Sequence, residues 1–433
     1  MRQVTHVISE LLHCKDNLSL LTDHLALEEV LTRLTVQAGM TVVSKVMYPF
    51  EEGGVTGSLV LAESHLNIHT WPERDYYINL DISVCNYCSD NKDKAIRLFE
   101  SIRDHFKPID VNHRIIEGYR DVEDEKYTEY FSRDYGFFIK PKAILFNEQD
   151  ETQSMAVYET KDFGRLLRLD NYFQTSEVDE FFYHEPLVQP TMIAHQNPKR
   201  VLIIGGGDGG VAKNVALHNS VERIVMVEID PRVAEVSKQW MPGVHGGVFD
   251  DPRFELVIGD GLVYVKETKE KFDVILLDLT DPIGPATELY TQDFYKDLKH
   301  LLADEHGVLG LHTEYPFLYP ETFGRINATL RSLFTHVANG FNFVPMFGAV
   351  MSFAYASDSV NAKTLSRDTV AQRIKQRGLK KLKQYNLEQH YGLMAAPEYA
   401  VQALANHQEV ITKASDLSGF ALLYNQKRKA FDE

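Results

Sequence analysis

Five glycines interrupted by one acid, GGGDGG at residues 205–210, place the carboxylate of Asp208 among the backbone amides of a turn. The turn follows an apolar run, residues 201–204, and precedes a helix-like segment that starts near Val211. Strand, glycine-rich turn and helix in this order form the context in which such a turn binds a nucleotide-like ligand. Glycine lets the backbone adopt dihedrals that other residues avoid and lets a ligand come close. A turn built for a pyrophosphate offers its amides to an anion, and Asp208 would repel one. The expected ligand is therefore nucleoside-like, with a positive group near Asp208.

Further acids repeat the arrangement. Apolar runs at residues 223–227, 254–258, 272–277 and 307–311 suit strands buried on both faces of a parallel sheet. In open α/β sheets ligands bind at the carboxyl ends of the strands. Counting the glycine turn, those ends carry Asp208, Glu228, Asp260, Asp278 and Glu314. Any one of them alone reads as an ordinary loop acid; five on one edge read as a cation-binding rim. Glu228 lies twenty residues past Asp208, the spacing at which this fold sets an acid on a ribose hydroxyl pair.

The ordered set QTSEVDEFFYHE (174–185), GGGDGG, VEID (227–230), GDG (259–261) and DLTDPIGP (278–285) resembles the spermidine synthase family of aminopropyltransferases over about residues 127–399. The resemblance implies decarboxylated S-adenosylmethionine as donor substrate, with no metal. Asp208 would hold its aminopropyl ammonium, Glu228 its ribose and Asp260, beside Gly261, its adenine. Gln153 and Gln174 would help seat it. Asp278 would accept the proton of the attacking amine, and Tyr183 and Asp281 would orient that amine. A carboxylate is a weak base for an ammonium, with ordinary pKa values of about 4 and about 10. It serves if the ammonium is partly desolvated and the proton moves as the bond forms, while alignment of amine, carbon and sulfur supplies the larger gain. Leu279-Thr280 stands where many relatives carry Ser-Ser, and VPMFGAVM at 344–351 lacks the Tyr-Pro pair and tryptophan of many putrescine users. Putrescine is the simplest acceptor, and the resemblance leaves the amine open. A methyltransferase on the same fold is the alternative; Asp208 inside the turn and the Asp278/Asp281 pair weigh against it.

Near the N-terminus, AESHLNIHTWPE (62–73) and DISVC (81–85) resemble bacterial S-adenosylmethionine decarboxylase over residues 4–118. That family cuts itself: the serine hydroxyl attacks the preceding carbonyl, and the ester eliminates to leave a pyruvoyl group. By this resemblance the cleavage site is Glu63–Ser64, His69 assists processing and Cys85 protonates the product carbon. The pyruvoyl carbonyl would capture the substrate amine and act as an electron sink. His65 and His69 also fit a blander reading, as satisfied histidines on a half-buried strand. Two other readings of this domain stay open: a non-catalytic dimerisation module, or a pyruvoyl decarboxylase of ornithine or arginine.

The elements that must position these residues follow from periodicity. Strand-like runs at 4–14, 41–48, 59–63, 76–83 and 111–117, with helix faces at Leu27, Val30, Leu31, Leu34 and at Ala95, Leu98, Phe99, Ile102, predict a small two-layer α/β sandwich over residues 1–118. A charged linker covers 119–126. A small β domain covers 127–196, with hairpin strands at 156–159 and 165–169. A Rossmann-like doubly wound parallel sheet with C-terminal helices covers 197–400, including a helix over 364–385, and an extension covers 401–433.

Composition narrows the function class. The 433 residues are 44% hydrophobic and 25% charged, which suits a globular protein with sizeable cores. Sixty-two acids against forty-five bases give a net charge of −17. That disfavours nucleic-acid binding and favours cationic small molecules. Three cysteines, Cys14, Cys85 and Cys88, make no disulfide framework, and a lone CxxC makes no zinc site. No membrane span or secretory signal is expected. The expected setting is cytoplasmic, as a homodimer or higher homo-oligomer.

Overall fold

The computed structural model describes residues 4–51, 53–86, 91–117, 126–131, 135–150, 153–170, 172–282, 284–413 and 415. Cys88, Ile283, most of the proposed linker and residues 416–433 lie outside the described residues. The chain divides into two compact units, residues 1–124 and 125–433.

The first unit runs β1 (Val4–Leu12), α1 (His24–Gln37), β2 (Val42–Pro49), β3 (Val55–Leu61), β4 (Ser64–Trp71), β5 (Tyr77–Cys85), α2 (Lys92–Phe106) and β6 (Asp110–Glu117). Its sheet is antiparallel, in the order β2-β3-β4-β5-β1-β6. Strand alternation buries Leu66, Ile68, Ile78, Leu80 and Ile82 in one core with Leu27 and Leu31 of α1 and Leu98 and Phe106 of α2. The alternate residues His65, Asn67 and His69 are only half-buried. The run expected as one strand over 59–63 ends at Leu61: Ala62 and Glu63 form a two-residue turn, and Ser64 opens the next strand. The cleavage pair thus sits where a hairpin reverses.

The second unit begins with the hairpin β7 (Tyr127–Tyr130) and β8 (Gly136–Ile139). A four-stranded antiparallel sheet follows: β9 (Ala143–Gln149), β10 (Ser154–Glu159), β11 (Arg165–Leu169) and β12 (Tyr172–Ser176). Helix α3 (Phe181–Ala194), buried from His184 onward, comes next, then β13 (Arg200–Gly205), α4 (Gly210–Ala216), β14 (Arg223–Glu228), α5 (Pro231–Trp240), α6 (Pro242–His245), β15 (Phe254–Ile258), α7 (Gly261–Glu267), β16 (Val274–Asp278), α8 (Gln292–Leu301), β17 (Val308–His312) and α9 (Pro320–Arg331). The hairpin β18 (His336–Val344) and β19 (Ala349–Ser357) and the helices α10 (Arg367–Gln376), α11 (Leu387–Leu393) and α12 (Glu398–Asn406) complete it.

The large sheet has the order β15-β14-β13-β16-β17-β19-β18. Five strands are parallel, as expected, but β19 and β18 join antiparallel at one edge, so the sheet is mixed. Val201 and Ile203 enter one core, Leu202 and Ile204 the other, the signature of a sheet covered on both faces. The strand order reverses between β13 and β16, which makes a switch point there. The helix expected over 364–385 ends at Gln376; Gly378, with φ 73°, lies just beyond, where glycine commonly terminates a helix. The expected break at residue 401 falls inside α12, whose Ala400 and Ala403 pack on Phe323, and Ile411 enters the core of the large sheet.

Helix α3, placed by sequence with the small β domain, packs on the large sheet instead. Arg373 donates to the carbonyls of Ile193 and Ala194 at 2.6 and 2.7 Å, and Arg377 to those of Met192 and His195. These guanidinium groups satisfy the helix C-terminus, while Glu185 accepts the amides of Lys383, Gln384 and Tyr385 at 2.7–2.9 Å. With its length fixed, α3 presents Tyr183 and His184 in its first turn. In the first unit, Phe106 is fully buried. Phe106→Ala is expected to cost about 3–5 kcal/mol, read as an earlier denaturant transition of that unit with the transition of the second unit unmoved.

Candidate active sites

In the second unit the glycine turn is pressed against protein carboxylates. Gly206, φ 72°, donates its amide to the carbonyl of Asp278 at 3.0 Å, and a Cβ there would lie 2.9 Å from Asp278 Oδ2. At Gly210 a Cβ would lie 2.1 Å from the His184 ring. The close approach that glycine permits is therefore first to side chains of this chain. Asp208 Oδ1 accepts the Gly210 amide at 2.7 Å, and Glu228 accepts those of Gly207 and Asp230 at 3.1 and 3.0 Å. Asp208, Asp278 and His184 bring ligand atoms within 4.8 Å of one another.

Charge shapes this cluster. Burial, followed by the neighbouring charge of Asp208, pushes the Asp278 carboxyl up to about 7. Tyr183 donates to Asp278 Oδ1 at 3.0 Å and holds that rise back. Burial also raises Glu228. His184 behaves oppositely. Burial alone would lower it, but Asp208 at 3.7 Å and Glu180 at 2.8 Å raise it to about 9, so it is an imidazolium at neutral pH. Lys213 binds the other oxygen of Glu180 at 2.7 Å. The row Lys213–Glu180–His184–Asp208 thus alternates in sign.

Asp281 lies beside a second group, with His312 and Glu314 offering ligand atoms within 4.8 Å of one another. Tyr290 donates to the carbonyl of Thr280 at 2.9 Å, and His312 Nε2 lies 3.0 Å from that of Leu279. These bonds fix the loop between Asp278 and Asp281. Burial holds His312 below its ordinary pKa. The turn between β18 and β19 brings Phe347 against Tyr183, with ring centroids 6.3 Å apart, and Asp179 accepts the Met346 amide at 2.8 Å.

The remaining expected residues stand at the rim. Asp260 is exposed and caps α7 through the Leu262 amide at 2.8 Å, immediately before Gly261. Gln174 on β12 donates to the Tyr172 carbonyl at 3.2 Å. Gln153 Oε1 is buried with no hydrogen-bond partner among the described residues. The Gln153 amide bonds Asp150, which pairs with Arg232 of α5 just beyond Glu228. Sequence reasoning gave no role to His184, Glu180, Lys213, His312 or Tyr290. The one available signal was the Glu180/His184 spacing of four, which sets both on one face of α3.

In the first unit, Ser64 has φ 148°, a backbone region that costs a non-glycine residue roughly 1–3 kcal/mol. The carbonyl of Glu63, the bond expected to break, accepts the Cys85 amide at 2.7 Å, and the Glu63 carboxylate accepts the Thr41 amide at 3.1 Å. Ser64 Oγ lies 3.2 Å from His65 Nδ1. Across β4 and β5, Ser64 pairs with Val84, and exposed Cys85 is the next residue of β5. His69 is not brought to them. It lies five residues along an extended strand, about 17 Å away at the usual rise, and its Nδ1 bonds Thr56 Oγ1 at 2.7 Å. Thr56 and His69 line a depression of ≈ 370 Å³ with Asn67, Asn79 and Asp81.

Comparison with known proteins places both units. Residues 180–366 match the spermine/spermidine synthase domain, residues 126–177 the spermidine synthase tetramerisation domain and residues 5–117 S-adenosylmethionine decarboxylase. The chain is 39% identical to a polyamine aminopropyltransferase of Nitrosomonas europaea over 68% of its own length and 90% of the relative's. It is 39% identical to one of Sulfolobus acidocaldarius over 64% and 92%. Among solved structures, the spermidine synthase of Thermotoga maritima aligns with a TM-score of 0.61 at 33% identity, over 66% of this chain and 97% of that one. A spermidine synthase in complex with the transition-state analogue AdoDATO aligns at 0.62 and 33%, over 66% and 98%. No helix among the described residues is long and apolar enough to cross a membrane. The extent of these matches, together with the acid-rimmed switch point, establishes that the chain belongs to the polyamine aminopropyltransferase family, with an S-adenosylmethionine decarboxylase domain fused ahead of it.

Proposed function

We propose that the second unit transfers the aminopropyl group of decarboxylated S-adenosylmethionine to a diamine, most simply putrescine to give spermidine. The observation that carries this reading is the half-buried Asp278, raised toward neutrality beside Asp208 and bonded to Tyr183. Asp208 binds the donor ammonium, its position fixed by His184. Glu228 and Asp260 hold ribose and adenine, and Gln153 and Gln174 close over the donor. The acceptor amine arrives protonated between Asp278 and Asp281. A carboxylate with a pKa near 7 is a better proton acceptor than an ordinary one, which narrows the gap to the ammonium. Tyr183 and Phe347 give the alkyl chain an apolar wall. The sulfonium leaves as a neutral thioether, and the proton on the amine passes to Asp278 as the carbon–nitrogen bond forms. The match to a tetramerisation domain supports a homo-oligomer.

For the first unit we propose self-cleavage between Glu63 and Ser64, followed by decarboxylation of S-adenosylmethionine, so that one chain makes and uses the donor. Strain at Ser64 and the amide bond to the Glu63 carbonyl support it. A pyruvoyl group at Ser64 supplies the electron sink for loss of carbon dioxide. Cys85, one residue beyond the partner of Ser64 and exposed, returns a proton to the product carbon in this reading.

Asp278→Asn is expected to lower kcat of aminopropyl transfer by about 10²–10⁴. Because the base must be ionised, wild-type activity rises with pH through about 7. Tyr183→Phe removes a bond that favours ionisation and should move that limb to higher pH. Stability runs the other way. A carboxyl raised above its unfolded value of about 3.9 contributes stability below that pH and loses it as pH rises through the folded pKa. Asp278→Asn should therefore raise the melting temperature of the ligand-free second unit, more at pH 8 than at pH 5. Treating the purified chain with a carbonyl reagent and running a denaturing gel should label a fragment that begins at residue 64. An uncut, unlabelled chain would identify the first unit as a non-catalytic module.

A further inference from the structure

We propose that His6, His65 and Asp81 form a binding site for a divalent transition metal, Zn²⁺ by preference, on the open face of the first unit's sheet. The site stands apart from the self-processing reading. Its ligands come from β1, β4 and β5, which the sheet sets side by side in the order β4-β5-β1. Their ligand atoms lie within 4.8 Å of one another.

Register explains the convergence. Ser83 of β5 pairs with His65 on one side and with His6 on the other. Side chains alternate across a strand, and the residues next to these, Val7, Leu66 and Ile82, enter the core with the helices. His6, Ser83 and His65 therefore share the opposite face. Ser83 is short and buried between the histidines, and their rings meet edge-on with centroids 6.1 Å apart. Asp81 stands two residues along β5 on the same face, with Oδ2 3.5 Å from His65 Nε2. Ligand atoms set tetrahedrally at about 2.0–2.2 Å from zinc are about 3.3–3.6 Å apart, so this pair already has the separation of two ligands. His6 approaches from the far side of Ser83, and side-chain rotation closes the remaining gap.

The surroundings suit a cation. Asp81 Oδ1 is buried with no hydrogen-bond partner among the described residues, and an acceptor left in that state is costly until a positive group reaches it. Asp81 Oδ2 also accepts from Asn67 at 3.4 Å. His65 Nδ1 lies 3.2 Å from Ser64 Oγ. With the metal on Nε2, the Nδ1 proton is donated to that hydroxyl, the kind of supporting bond that fixes the tautomer of a ligating histidine. Two imidazoles and one carboxylate suit Zn²⁺, Co²⁺ or Ni²⁺, whereas Mg²⁺ and Ca²⁺ prefer oxygen ligands. The depression lined by Asn67, Asn79 and Asp81 gives an ion access. The site also spans the Glu63–Ser64 bond, because His6 precedes it and His65 and Asp81 follow it. In a cut chain the metal ties the two fragments together, a consequence that does rest on the self-processing reading.

The test uses the full chain, stripped with EDTA, dialysed and titrated with Co²⁺, whose visible spectrum reports its ligands. The tightest equivalent should give the absorption of a tetrahedral site without thiolate. Zn²⁺ should displace it and a large excess of Mg²⁺ should not. His6→Ala, His65→Ala and Asp81→Asn should each weaken it by more than the about 10–100-fold lost with a residue that only supports a ligand. Cys85→Ser should leave it unchanged. Should the variants fail to fold by circular dichroism, the wild type still decides. Zn²⁺ should protect His6 and His65 from diethyl pyrocarbonate, read by peptide mass, and leave exposed His113 open to it. No bound Co²⁺, binding that survives His6→Ala and His65→Ala, a thiolate band lost in Cys85→Ser, or equal modification of His6 and His65 with and without Zn²⁺ would each overturn the site. None of these outcomes depends on whether the chain is cut.

Discussion

Confining several carboxylates around one glycine turn is the constraint on which the second unit depends. Asp208, Glu228 and Asp278 reach that turn from three adjacent strand ends, and each lies against its backbone. Like charges at this range resist joint ionisation, and burial adds to the resistance. The outcome is the raised pKa of Asp278. A positive group arriving beside these carboxylates would relieve that tension.

The surrounding fold contains that tension. Helix α3 is buried from His184 to Ala194, and its far end is clamped by Arg373 and Arg377. It delivers two groups with different tasks. Tyr183 bonds Asp278, and His184 sets a positive charge against Asp208. Behind His184, Glu180 and Lys213 continue the alternation of sign, so the imidazolium is compensated on both sides. The loop that carries Asp281 is fixed in turn by Tyr290 and His312 through its backbone carbonyls.

The first unit concentrates its chemistry differently. There the Glu63–Ser64 bond lies at a two-residue hairpin turn, and strain is stored in the serine that opens the next strand. The Glu63 carbonyl accepts an amide from β5, and the Ser64 hydroxyl lies against the neighbouring histidine. A tight turn holds the serine hydroxyl and the preceding carbonyl together while the flanking strands resist relaxation.

The ordered motifs made much of this protein legible in its sequence. Apolar runs ending in acids marked the parallel strands and their functional edge, since both the doubly buried strand and the strand-end site leave local traces. The chain could not reveal the antiparallel pair β18 and β19 at the sheet edge, because buried runs look alike in either direction. It also placed α3 with the wrong layer, for a helix apolar on all sides carries no stripe to say what it faces. The resemblance gave His69 a part in processing at Ser64, yet an extended strand separates the two by its rise, while His65 meets Asp81 only because β5 brings it alongside. Local pattern thus determined which residues carry charge and where strands end. Which charges meet, and so what their pKa values become, was decided by packing, because electrostatic coupling depends on distances in space that strand order alone sets.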